Sequence, residues 1–194
     1  TTGNPPPTSK MPRVADGTLV SMEEWRKQFP VIPVFSIPTG PNYLELYDYG
    51  PDADDGYITV VPPVPVTPRQ EYTILVPSVD TDGNDIPGIK VAQLQVPLAT
   101  HVGWNIRKKG FGEGAMAVFY GSSWPFSKDR ESAENCGDPR KSIAGRYVDE
   151  NDYINSVRTA IENLKRDGFL LDEDEDSVVE NSRVAYKMAV NIEI

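Results

Sequence analysis

The chain has 194 residues, which suffices for one domain with a sizeable core, and it carries a formal net charge of −10 with a pI of about 4.6. Its 19 Lys and Arg residues are scattered, so the composition excludes a continuous basic surface for nucleic acid, and no segment approaches the roughly 20 apolar residues of a membrane span. The single cysteine, Cys136, excludes an internal disulfide and a multi-thiolate zinc site. We therefore expect no nucleic-acid partner, no membrane span, no metal and no cofactor.

Residues 1–70 are predicted to form a proline-rich extended segment that packs on a partner or on the rest of the protein. They hold 13 of the 18 prolines, and each proline fixes φ and removes a backbone donor that a helix or sheet would use. One helix is predicted here, over residues 21–26, because Ser21 stands in N-cap position and Glu24 follows at capping-box spacing.

Residues 71–148 are predicted to be strands and loops. Residues 72–77 have the β-branched and aromatic content of a strand and end at a proline, and an Asp/Gly/Asn turn follows at 80–85. Residues 91–100 alternate enough to be expected as extended chain, while the apolar run at 115–120 fits a strand or a helix.

Residues 149–194 are predicted to form two helices. Asp149 or Asn151 caps the first, which ends at Gly168, and Asp172 opens the second. The apolar positions follow the 3.6-residue period of a helix with one buried face: Tyr153, Val157, Ala160, Ile161 and Leu164 in the first helix, and Val178, Val179, Ala185, Tyr186 and Met188 in the second.

A shorter helix is predicted to start within residues 137–142, with Asp138 as N-cap and Pro139 at the first helical position. Three arginines surround this segment, and we expect them to form salt bridges that hold it in place: Arg130, Arg140 and Arg146.

No complete catalytic serine motif is present in the sequence. A serine nucleophile of the α/β type stands on a strained turn, written G-x-S-x-G, between a strand and a helix. The nearest match is at residues 121–125, where Trp124 and Pro125 take the places of small residues. We interpret this stretch as an ordinary loop.

His101 is the only histidine, so in a Ser/His or Cys/His mechanism it would have to be the base. It is the one weak catalytic candidate of the chain. The favoured interpretation is a partly buried loop histidine bonded to a carbonyl. Cys136 is interpreted as a small packing residue, and a His101–Cys136 dyad stays open as a weaker alternative.

The turn at Asp80, Asp82 and Asn84 resembles the first half of a calcium loop, whose oxygens face one cation from alternate positions. The pattern then fails, because Asp85 stands where the loop requires Gly and Val91 where it requires a bidentate Glu. A plain turn is favoured over a cation site.

The order of these motifs resembles the C-terminal region of the α/β-hydrolase domain-containing proteins. The most specific block runs from Asp80 to Asn105, and the matching pieces span nearly the whole chain: Pro7-Thr8-Ser9-Lys10-Met11-Pro12, Asp16-Gly17-Thr18-Leu19-Val20, Phe29-Pro30-Val31-Ile32-Pro33, Asp80-Thr81-Asp82-Gly83-Asn84-Asp85-Ile86-Pro87-Gly88-Ile89, Pro97-Leu98-Ala99-Thr100-His101-Val102-Gly103-Trp104-Asn105, Pro125-Phe126, Gly137-Asp138-Pro139-Arg140-Lys141-Ser142, Arg146-Tyr147 and the two closing helices.

The resemblance implies an α/β fold class, in which this chain is the C-terminal part of a hydrolase-like fold, loop-rich with short strands in 1–120 and two C-terminal helices. It also implies that the nucleophile, the oxyanion hole and the catalytic histidine lie upstream. At His101 the family pattern usually has an aromatic or other non-histidine residue, which argues against His101 as a family-wide base. The implied partner is an N-terminal hydrolase segment or a second chain, and a further copy of this chain is another candidate.

The sequence favours two functions. The first is the C-terminal portion or subunit of a serine-type carboxylic ester hydrolase. The second is a non-catalytic binding or structural module in which Trp25, Trp104, Trp124 and the nine tyrosines supply contact area. An independent cysteine or histidine enzyme is a third and weaker hypothesis.

A sequence that begins at Thr1 without Met fits removal of a signal peptide as well as cleavage or truncation further in. A secreted or periplasmic location is favoured, and the compartment stays open.

Overall fold

The computed structural model describes residues 7–33, 37 and 45–192. Six α-helices lie within these residues: α1 Met22–Gln28, α2 Ala92–Gln95, α3 Arg130–Cys136, α4 Ile143–Arg146, α5 Glu150–Arg166 and α6 Glu175–Asn191. The described residues also contain 3-10 turns at Thr8–Lys10, Ala53–Asp55 and Asp172–Asp174. No helix in the described part of the chain is both long and apolar enough to cross a membrane.

Short strands form antiparallel pairs rather than one large sheet. The strands are β1 Leu19–Ser21, β2 Tyr47–Asp48, β3 Val64–Pro65, β4 Leu75–Pro77, β5 Ala99–Val102, β6 Asn105–Ile106, β7 Met116–Ala117 and β8 Ser122–Pro125. The pairs are β1 with β4, β2 with β3, β5 with β8 and β6 with β7. Helices and short strands together confirm the mixed α/β class.

The first helix forms as its capping signal predicts. Ser21 Oγ accepts a hydrogen bond from the Glu24 backbone N–H, which satisfies one of the free donors at the start of α1. On its inner face Trp25 is buried and packs on Phe29, with ring centroids 4.6 Å apart. Together with Ile32 and Val79 these side chains make a small core between α1 and the strands. Residues 1–6, 34–36 and 38–44 of the proline-rich segment lie outside the described residues.

The larger core surrounds α5 and includes residues of α2, α4 and α6. Asp149 caps α5 by accepting from the Asp152 backbone N–H, and Gly168 adopts φ +81° just beyond the helix, as predicted. Tyr153 is 1% exposed and lies between the rings of Tyr147 and Tyr186, with centroids 5.0 and 5.2 Å away. The predicted apolar face of α5 is buried throughout.

The second C-terminal helix differs from its prediction in two respects. The chain makes a 3-10 turn at Asp172–Asp174, and α6 itself begins at Glu175. Met188, predicted for the core, is 62% exposed. Ser182 faces inward instead, and its hydroxyl donates to the Val178 carbonyl, so the polar group is satisfied within the helix.

Three further predictions were wrong in part. Residues 91–100 are not wholly extended, because one helical turn, α2, precedes β5. The strand predicted at 72–77 is limited to β4. Asp138 does not cap a helix: α4 starts later, with Ser142 at the N-cap.

Helix α3 was missed by the sequence reading. Asp129 caps it by accepting from the Ser132 backbone N–H, and Gly137 ends it at φ +75°. Both are ordinary helix boundary signals.

Candidate functional site

Strands β5 and β8 place His101 directly opposite Ser123. The register pairs Thr100 with Trp124 and His101 with Ser123, so the two side chains project from the same face of the sheet. His101 Nδ1 lies 2.8 Å from Ser123 Oγ, which is hydrogen-bond distance. The interpretation of His101 as a loop residue bonded to a carbonyl was therefore wrong, since it lies in a strand and its partner is a hydroxyl.

Burial sets the charge state of His101. The side chain is half-buried, and desolvation lowers its pKa below the ordinary value of 6.5. The imidazole is thus neutral at neutral pH, with one ring nitrogen as donor and the other as acceptor. Within the described part of the chain, nothing bonds Nε2, so this nitrogen is available to a ligand.

An apolar groove of about 220 Å³ lies between this sheet and α6, with His101 in its wall. Apart from His101, the polar residues of its lining are Gln93 and Tyr153. The rest of the lining is aliphatic: Leu98, Ala99, Pro125, Ala185, Met188, Ala189 and Ile192. One imidazole in an apolar wall is the composition of a small-molecule subsite.

The Arg140 side chain links strands β5 and β8. Its guanidinium pairs with Asp138 through Nε at 2.9 Å and Nη2 at 2.7 Å. It also donates to Thr100 Oγ1 on β5 at 2.9 Å, and to the Trp124 and Pro125 carbonyls on β8 at 2.9 and 3.0 Å. The expectation that Arg140 forms a salt bridge here is confirmed.

The pKa of Asp138 follows from this pair. Burial by itself raises the pKa of the carboxyl, but the hydrogen bonds and the charge of Arg140 outweigh it and hold the pKa below the ordinary value. Asp138 is therefore a structural carboxylate, ionised at neutral pH.

The Asp80–Asn84 turn holds the backbone of His101 in place. Asp80 Oδ1 accepts from the backbone N–H of Asp82 and of Asn84, each at 3.0 Å. The buried Asn84 side chain accepts from the His101 backbone N–H at 2.7 Å and donates to the Ala99 carbonyl at 3.2 Å. The sequence predicted a turn here but not this role, because the two partners of the Asn84 side chain lie 15 and 17 residues further along the chain.

Both aspartate carboxylates of the same turn bind other groups of the chain. The Asp82 carboxylate forms a two-point ion pair with Arg146, which in turn lies over the Phe126 ring at 4.3 Å. The described residues contain no group of three or more metal-ligating side chains. The predicted turn itself is present, since the Gly83 N–H donates to the Asp80 carbonyl at 2.9 Å.

The stretch nearest to a nucleophile motif is an extended strand. Ser122–Pro125 is β8, and the Ser122 hydroxyl donates to the Trp104 carbonyl at 2.8 Å. A nucleophile elbow is a tight turn between strand and helix, so this geometry excludes one here. The prediction of a loop was also wrong, since the residues pair in a sheet.

Cys136 and His101 each have other partners. Cys136 Sγ lies at the end of α3, 3.7 Å from Ser127 Oγ and 3.6 Å from the Ala133 carbonyl oxygen. The structure does not bring the thiol to His101, and a His101–Cys136 dyad finds no support in it.

A second cavity, of about 290 Å³, opens beside the small core around α1. Its walls include Trp25 and Trp104, whose ring centroids are 6.1 Å apart. Asp85 is the acidic group in its lining, and although part of its surface is exposed, desolvation by its neighbours raises its pKa. An aromatic pocket with one carboxyl group can accept a small amphipathic ligand.

The chain matches a known protein family. The sequence profile of a family described as alpha/beta hydrolase domain covers residues 1–180 of the 194. No curated protein and no solved structure matches the chain.

Proposed function

Because the chain belongs to the α/β-hydrolase domain family, we propose that it is the C-terminal portion or subunit of a serine-type carboxylic ester hydrolase whose nucleophile lies outside this chain. The observation that carries the proposal is the family match over residues 1–180. The 194 residues contain no G-x-S-x-G sequence, and the described strands pair antiparallel in twos. An elbow serine would need a strand and a helix from elsewhere.

An exposed apolar segment supports assembly with such a part. Val118, Phe119 and Tyr120 follow one another between β7 and β8 and are 60%, 87% and 72% exposed. Phe111, at the tip of the β6–β7 hairpin, is 65% exposed. Contiguous exposed apolar surface of this kind is typical of protein interaction sites.

In this proposal the reaction follows the acyl-enzyme route. The serine oxygen of the upstream part attacks the ester carbonyl carbon, a base takes the hydroxyl proton, and the alcohol leaves with a proton. Water then attacks the acyl-enzyme and releases the carboxylic acid. The residues of this chain line and support the site. In this proposal the base, like the serine, comes from the upstream part.

The test is a fluorophosphonate serine probe applied to native material, followed by denaturing separation and mass spectrometry. We expect the labelled serine to map to an upstream segment or a second chain, and residues 1–194 to carry no label. Label on a serine of this chain would overturn the proposal, as would full esterase activity of this chain in isolation.

A second candidate function is a non-catalytic binding module. The cavity beside Trp25, Trp104 and Asp85 favours it, since an aromatic pocket can hold a ligand without chemistry. It predicts that the native assembly does not react with the serine probe. A labelled serine in any associated chain contradicts it.

A further inference from the structure

We propose that the groove between α6 and the β5–β8 sheet binds the aliphatic acyl group of a carboxylic ester, with His101 Nε2 hydrogen-bonded to a carboxyl oxygen. The choice of an ester rests on the proposed function. The site itself rests on the geometry of described residues and would remain if the reaction were of another kind.

The shape of the groove fits a short alkyl chain. Leu98, Ala99 and Ala189 are each less than 9% exposed and form its inner surface, whereas Met188 and Ile192 are 62% and 40% exposed and stand at its rim. Its volume of about 220 Å³ suits an acyl group of a few carbons.

His101 supplies a polar contact that its neighbours hold in place. Ser123 Oγ holds Nδ1 at 2.8 Å, and Asn84 Oδ1 holds the backbone N–H at 2.7 Å, so both the ring and its strand are positioned before a ligand binds. When Nδ1 accepts from the Ser123 hydroxyl, Nε2 carries the proton and donates to an ester oxygen.

The charge state of the groove favours the ester over the free acid. The described groups in the lining include no cation, and the imidazole is neutral at neutral pH. A carboxylate entering the groove would lose its hydration without gaining a countercharge. Such a subsite holds the substrate and releases the ionised product.

The test is an NMR titration of the full chain with isotope-labelled histidine, whose one imidazole signal is assigned by its loss in His101→Gln. Methyl acetate, methyl butyrate, methyl hexanoate and sodium hexanoate are added at pH 7.5. We expect a saturable shift of the imidazole signal with the esters. Affinity should rise about fourfold per added methylene and level off once the groove is full, and hexanoate should bind at least tenfold more weakly than its methyl ester.

Two variants of α6 separate the groove from the rest of the surface. Ala185→Leu fills the groove and should weaken ester binding at least tenfold, whereas Val184→Leu lies on the same helix outside the lining and should leave it unchanged. The proposal fails if no ester shifts the imidazole signal, if both variants bind alike, or if the carboxylate binds as tightly as the ester. Since binding is measured without turnover, these outcomes are independent of the serine-probe result.

Discussion

Arg140 and Asp138 form a buried two-point ion pair, and each side chain is 2% exposed. The pair fixes the chain between α3 and α4, while the remaining guanidinium donors bond Thr100 on β5 and two carbonyls on β8. Removing one partner of a buried pair leaves an uncompensated charge, which costs more than the pair itself contributes.

Arg140→Met is therefore expected to lower the free energy of unfolding by about 3–5 kcal/mol. Arg130→Ala is the control, because Arg130 pairs with Glu134 on the surface of α3 and its loss should cost less than about 1 kcal/mol. Urea denaturation measures both. Equal effects of the two substitutions would show that Arg140 does not hold the sheet.

A double substitution tests whether the unpaired Asp138 carboxylate causes this loss of stability. Asp138→Leu combined with Arg140→Met removes both charges, so the double variant should be more stable than Arg140→Met alone. If the double variant is the less stable of the two, the unpaired carboxylate is not the source of the loss.

His101 should make stability depend on pH in a defined direction. Its folded-state pKa is lowered from 6.5 by desolvation, so as pH falls through 6.5 the unfolded chain takes up the proton first. Wild-type stability relative to His101→Gln should fall below pH 6.5 and become constant below the folded-state pKa. Above pH 6.5 the difference should not change with pH. Thermal melts of both proteins between pH 5 and 8 measure this, and an opposite slope would mean that the folded state stabilises the imidazolium.

The N-cap of α5 is predicted to contribute to the stability of the two C-terminal helices. Asp149→Ala removes the side-chain acceptor for the Asp152 backbone N–H and should cost about 1 kcal/mol. Asn155→Ala, at an exposed position inside the same helix, should be neutral or slightly stabilising. Comparable losses in the two variants, by urea denaturation, would argue against capping as the cause.

The helices of this chain were predictable where their signals are local. The Ser21 and Asp149 caps and the periodic face of α5 lie within a few residues of the structure that they specify. Helix α3 also has a local cap at Asp129 and a terminating Gly137, so the sequence held enough information to find it. Helix α2 is a single turn whose Ala92 packs into the larger core. This tertiary contact favours a helical turn where the local sequence pattern had predicted extended chain.

The candidate site depends on contacts far apart in sequence. His101 contacts Ser123, which lies 22 residues away in sequence, and Asn84, which lies 17 residues away. Arg140 contacts Thr100 across 40 residues. The register that aligns β5 with β8 has no local signature in either strand. His101 could be singled out as the only histidine, but its partner and the groove beside it required the structure.

Phe119 provides the last prediction, which concerns assembly. Its side chain is 87% exposed within the apolar segment 118–120, so Phe119→Ser should leave the stability of the isolated chain within about 0.5 kcal/mol of wild type. If this surface contacts the catalytic part of the hydrolase, the same change should weaken association, because an apolar contact area is lost. Val148→Ser is the matched control, at a position that is 91% exposed and outside this segment. Native mass and size-exclusion chromatography of the assembly compare the two, and equal association of both variants would remove segment 118–120 from the interface.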